Sequence, residues 1–101
     1  MSEETPVACT LSNAGLRKRE ATLLAHFKSV LIATEELTDG YAFRMPGHKE
    51  NLALVAELML AERECCPFLK FELIAEANLG PLVLRVTGPD RTKDFLKSIL
   101  T

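Results

Sequence analysis

Pro67 is the residue that most limits what this chain can become. Its ring locks φ, removes a backbone donor and pushes the preceding residue out of helical geometry. On its N-terminal side, Leu52, Val55, Met59 and Glu62/Cys66 recur at helical spacing, with Leu54, Leu58, Ala61 and Cys65 in the neighbouring row. On its C-terminal side, Leu69, Phe71, Leu73 and Ala75 alternate with Lys70, Glu72, Ile74 and Glu76, the period of a half-buried strand. A helix must therefore stop and a strand begin within Glu62-Arg63-Glu64-Cys65-Cys66-Pro67-Phe68-Leu69. The same stretch holds two of the three cysteines, side by side.

The remaining elements follow from turn chemistry and periodicity. Ser12 is a suitable N-cap for a helix over about 13–31, whose packing face carries Leu16, Leu23, Phe27 and Val30. Thr38-Asp39-Gly40-Tyr41 predicts a tight hairpin, Asp-Gly tolerating the positive φ angles such turns use. It joins about 33–38 to 41–45, with Tyr41, Phe43 and Met45 facing the core. A second helix runs over about 49–65, up to the Pro67 break. Asn78-Leu79-Gly80-Pro81 is a further turn, and Leu82, Leu84 and Val86 line the inner face of a fourth strand. Gly88-Pro89-Asp90 opens a last helix, with proline near its first position and Phe95, Leu96 and Ile99 as packing residues. Val7 to Leu11 reads as a short extended piece, and residues 1–6 as disordered.

The order is helix, two strands, helix, two strands, helix. Both strand pairs are hairpins, so the four-stranded sheet is antiparallel and the fold class is a two-layer α+β sandwich with three helices. Residues 1–101 form one domain of a size that buries a core without staples.

Charge narrows the function classes. The net charge is −2 and the pI about 5.7, so nucleic acid and anionic membranes exert no general attraction. No apolar run approaches the roughly 20 residues that span a bilayer. The acidic start lacks the basic and apolar regions of a signal peptide, and an odd number of cysteines does not make a secreted disulfide framework. A reducing cytoplasm is the expected location.

Two adjacent thiols raise the possibility of a site for a soft ion such as zinc or copper(I). There is no Cys-x-x-Cys pair, and the other candidates, Cys9, His26 and His48, are scattered. Adjacent residues of a helix point about 100° apart, so one of Cys65 and Cys66 is expected in the core and the other outward or towards the sheet. A disulfide between them is disfavoured, since their Cα atoms lie about 3.8 Å apart across a trans peptide. The helix C-terminus favours protonated thiols; Arg63 and Lys70 offset that and Glu62 and Glu64 reinforce it. The competing reading makes both cysteines small buried hydrophobes at a tight junction. Glu62 and Arg63 read either as local capping and pairing groups or as part of an Arg-lined pocket for a small anion. Arg17-Lys18-Arg19-Glu20 reads as a solvated helix face, and His26 as a boundary residue. No phosphate loop, nucleophile elbow or zinc-protease motif is present, so the residues favour a binding domain over an enzyme.

Glu62-Arg63-x-Cys65-Cys66-Pro67-Phe68-Leu69-x-Phe71 followed by Leu84-x-Val86-Thr87-Gly88-Pro89 resembles a family of small uncharacterised bacterial α+β proteins. Cys9-Thr10-Leu11 and Asp39-Gly40-Tyr41-x-Phe43 are also similar to it. The resemblance implies a stand-alone bacterial cytosolic domain and carries no activity. Two expectations remain. One is thiol-based binding of a soft metal or metalloid by Cys65 and Cys66, with Cys9 as third ligand and Glu62 and Arg63 nearby. The other is a homodimeric interaction module whose cysteines are purely core, associating through the helix-free sheet face or a strand edge.

Overall fold

The structure is a computed structural model describing residues 14–100, the side chains of residues 14–17 and of Ile99 excepted. The expectations for residues 1–6, the Val7–Leu11 piece, Cys9 and Ser12 lie outside the described residues. The elements are α1 (Ala14–Val30), β1 (Ala33–Leu37), β2 (Gly40–Met45), α2 (Lys49–Cys65), β3 (Lys70–Ala75), β4 (Leu82–Thr87) and α3 (Thr92–Leu100). This is the α+β order the periodicity predicts. No helix among the described residues is long and apolar enough to cross a membrane.

The four strands form one sheet in the order β1-β2-β4-β3, every neighbouring pair antiparallel. Each hairpin contributes one central and one edge strand. The register sets Phe43 opposite Leu84, which in turn faces Leu73, and Tyr41 opposite Val86, which faces Phe71. These residues share one face of the pleat, and the helices cover it. Phe43, Met45, Leu82, Leu84 and Val86 join Leu23 and Phe27 of α1, Leu54, Val55 and Leu58 of α2 and Leu96 of α3 in one core. Phe27 meets Phe43 edge-on, ring centroids 5.4 Å apart, a favoured aromatic geometry. At the outer edge, Glu36 on the helix side of β1 forms an ion pair with Lys93 of α3 instead of packing.

α2 is preceded by His48 at its N-cap, which gives no side-chain cap. Asn51 does not cap the helix either; it is buried and donates from Nδ2 to the Pro46 carbonyl at 2.9 Å, which pins the chain's entry into the helix. α2 ends where the Pro67 rule requires. Cys66 has left helical geometry (φ −129°, ψ 73°), and the Leu69 N–H donates to its carbonyl at 3.1 Å.

Two local expectations change. Leu37 pairs with Gly40, so the first hairpin turns on Thr38-Asp39, and no described glycine has positive φ. Gly40 is needed for clearance, because a Cβ there would collide with the Val86 carbonyl oxygen of the adjacent strand. Positive φ falls on Asn78 (61°) and Leu79 (58°) in the second hairpin and on Arg91 (77°) before α3. Leu79 is 91% exposed, so nothing packs on it to explain a leucine in that conformation. Pro89 is not the first helical residue; α3 starts at Thr92, whose N–H donates to the Pro89 carbonyl at 3.0 Å.

Phe71 faces inward as expected but is only half-buried, because β3 is an edge strand. Phe43, on a central strand, is 3% exposed. Phe43→Ala is expected to cost about 3–5 kcal/mol in urea unfolding, and Phe71→Ala roughly half of that. Equal costs would show that the edge position of β3 does not limit its burial.

Candidate functional site

The C-terminal turn of α2 carries Glu62, Cys65 and Cys66 at spacings that return to one side of a helix. All three are buried, Glu62 at 3% exposure and both cysteines at 0%. Beneath them Phe68 stacks edge-on against Phe95 of α3 at 5.2 Å, closing a small second core with Leu69. α1 packs along α2, held at the surface by the Arg19–Glu57 ion pair at 3.6 Å, and brings Glu20 to the same place. One donor atom from each of Glu20, Glu62, Cys65 and Cys66 lies within 4.8 Å of every other.

The cysteines depart from the sequence expectation. Both sulfurs turn inward, and Cys66 Sγ lies 3.3 Å from Cys65 Sγ. The rule that helical neighbours diverge does not apply, because Cys66 is already off the helix and its non-helical φ and ψ swing its side chain back. Cys66 Sγ is also 3.3 Å from Glu62 Oε1, and its single S–H donates to one of these acceptors at a time. The two cysteines differ in redox state. Cys66 is a free thiol and Cys65 is disulfide-bonded.

The electrostatics keep Glu62 and Cys66 protonated. Burial raises the Glu62 pKa, the adjoining Glu20 carboxyl adds to the rise, and the Cys66 thiol opposes it; the result is pushed up to about 8. Burial likewise pushes the Cys66 thiol far up, with Glu62 and then Glu20 adding to the effect. Near pH 7 Glu62 is therefore a neutral acid and Cys66 a thiol. Glu62 Oε2 is buried and has no hydrogen-bond partner among the described residues. Glu62 also borders an apolar crevice of about 30 Å³ lined by Leu24, Phe27, Leu58, Leu69 and Phe71, among others. Those walls offer no second polar partner, which an ordered water would need.

The other candidates are placed elsewhere. Cys9 lies outside the described residues. His26 and His48 are exposed and do not belong to the cluster. Arg63 points to solvent while Glu62 points inward, so these neighbours do not share a pocket. Lys18 and Arg19 are exposed, as a solvated helix face requires. Glu20, read from the sequence as part of that solvated face, is instead half-buried and turned into the cluster, and a signal for this was present. It falls three and seven residues before Leu23 and Phe27, on the apolar stripe of α1, where an acid is out of place.

The raised pKa has a consequence for stability. Below about pH 4.5 Glu62 is protonated folded or unfolded, whereas between there and about pH 8 the unfolded chain releases a proton that the folded chain keeps. Stability is thus fully present at low pH and falls as pH rises through that window. Glu62→Gln is expected to flatten this loss and to gain on the order of 1–3 kcal/mol at pH 8. Unfolding free energies at pH 5 and pH 8 check this, and an unchanged slope in the variant would show that Glu62 ionises freely.

No family model matches this chain, and comparison with curated proteins and with solved structures likewise finds no match.

Proposed function

We propose that the chain is a non-enzymatic binding domain that takes up a soft metal or metalloid ion at the α1–α2 junction. Cys65 and Cys66 supply the sulfur donors, with Glu62 and Glu20 completing the set. One observation carries this reading: four donor groups, from α1, the end of α2 and the residue just past it, converge within 4.8 Å in a largely buried place. Tetrahedral coordination at bond lengths of 2.0–2.3 Å separates ligand atoms by about 3.3–3.8 Å, so the cluster needs only a small contraction. The Cys65–Cys66 sulfur separation of 3.3 Å is already near that spacing. Thiolates select soft ions, and carboxylates complete the shell without adding steric bulk. Binding has to displace the protons held by Glu62 and Cys66, so affinity rises with pH. The expected bacterial cytosolic setting, taken from the motif resemblance, belongs to this same proposal.

Protein purified under reducing conditions is expected to bind about one zinc or copper(I) ion per chain. The Cys65→Ser/Cys66→Ser variant is expected to lose that stoichiometric metal while keeping its helical circular-dichroism signal. Absence of zinc and copper(I) binding by the reduced wild type at micromolar concentration would remove the metal reading and leave the cysteines as core residues.

Self-association is a second reading, favoured by the β3 edge. Ile74 is 43% exposed on the helix-free face of that edge strand. The other edge, β1, carries Glu35 and Glu36, whose charges discourage pairing with another chain. On the open face Glu72 and Arg85 satisfy each other within the chain at 3.4 Å, so Ile74 and the half-buried Val83 opposite it are the apolar points left for a partner. A two-fold contact through β3 would place a second Ile74 against the first. Light scattering over a dilution series is expected to show a dimer that Ile74→Lys disperses. The mass of a single chain up to millimolar concentration would end this reading.

A further inference from the structure

A cleft of about 510 Å³ lies away from the cysteines, between the turn of the first hairpin and the start of α3, and its volume is in the range of small-molecule sites. Thr38, Asp39 and Tyr41 stand on the hairpin side, and residues 88–94 form the other wall. The Gly88 N–H donates to the Asp39 carbonyl at 3.1 Å, which ties the two walls together. The α3 wall holds donors with nothing to bind. The Thr92 N–H is taken by the Pro89 carbonyl at 3.0 Å and the Phe95 N–H by the Arg91 carbonyl at 3.1 Å. Between them, the N–H groups of Lys93 and Asp94 have no acceptor among the described residues, as the first turn of a helix leaves them. Thr92 is 1% exposed, and its Oγ1 also has no hydrogen-bond partner among the described residues. Buried polar groups are as a rule paired, so this hydroxyl points to a ligand oxygen at the same wall. It lies against Gly88, which also lines the cleft, and only the missing side chain there leaves it room: a Cβ on Gly88 would come within 2.5 Å of the oxygen.

Charge decides what fits. The cleft carries the carboxylates of Glu36, Asp39, Asp90 and Asp94. Against them stand Arg91, Lys93, Lys97 and the partial positive charge of the α3 N-terminus. Glu36 and Lys93 pair with each other, whereas Asp39, Asp90 and Arg91 form no ion pair among the described residues. A simple anion is repelled by the carboxylates, and a simple cation by the bases and the helix end. A small molecule with both charges a few bonds apart satisfies both sets. We propose that this cleft binds a free α-amino acid. Its carboxylate accepts from the Lys93 and Asp94 N–H groups and from the Thr92 hydroxyl, the placement that helix N-termini favour for anions. Its ammonium faces Asp39 and Asp90. The cleft shares no residue with the Glu20, Glu62, Cys65 and Cys66 cluster, so this site stands whether or not that cluster takes a metal.

The test titrates the full-length, nitrogen-15-labelled chain with each standard L-amino acid and follows its amide resonances. At least one amino acid is expected to move the Lys93 and Asp94 signals saturably, with a Kd of about 1 mM or tighter. The methyl ester of that amino acid lacks the carboxylate, and its N-acetyl derivative lacks the ammonium. Each is expected to bind at least about tenfold more weakly, as the loss of a hydrogen bond to a charged group predicts. Thr92→Val keeps the shape of the side chain and removes only the hydroxyl. It is expected to fold with undiminished stability and to bind about tenfold more weakly. No movement of these signals by any amino acid at about 10 mM, enough to saturate a millimolar site, overturns the proposal. An ester or acetyl derivative that binds as tightly as its parent overturns the zwitterionic ligand. Unchanged affinity in Thr92→Val overturns the placement of the carboxylate at this wall.

Discussion

The pairing of β2 with β4 is the contact on which the rest of this molecule depends. Each of these strands has a neighbour on both sides, so their backbone donors and acceptors are satisfied inside the sheet. Their shared face carries Phe43, Met45, Leu82, Leu84 and Val86, none more than 3% exposed. That apolar surface is what the helices cover, and without it neither hairpin has anything to pack against. The approach is close enough at one end that Gly40 has no room for a side chain beside the Val86 carbonyl.

The candidate site follows from how the helices lie on that sheet. α2 crosses it with Leu54, Val55 and Leu58 down, and the same stripe continues into Glu62 and Cys65. A carboxyl in that stripe is carried into the interior by its apolar neighbours, where charge is costly, and it answers by holding its proton. α1 then adds a second acid beside it. Two acids and two sulfurs in a largely buried place contribute little to stability compared with the leucines that would fill the same space.

Much of the fold was legible because it rests on short-range signals. Pro67, the alternation from Leu69 to Ala75 and the turn residues at 38–40 and 78–81 located the breaks to within a few residues. Where the reading missed, longer contacts were responsible. Asp39-Gly40 suggested a turn needing positive φ, but the glycine answers to the neighbouring strand. Cys65 and Cys66 were expected to diverge as helical neighbours do, but the second lies past the helix end. Glu20 stood on an apolar stripe, and only its packing against α2 shows what it faces.

The sequence by itself determined the element order, the antiparallel hairpins and the presence of a thiol-bearing helix–strand junction. Periodicity, proline and turn propensity act over a few residues and need no knowledge of the rest of the chain. Only the tertiary structure decided that β2 and β4 would be central, that Glu20 would join Glu62, and that both sulfurs would point inward. Those outcomes depend on which apolar faces meet, a property of residues far apart in sequence that no local pattern encodes.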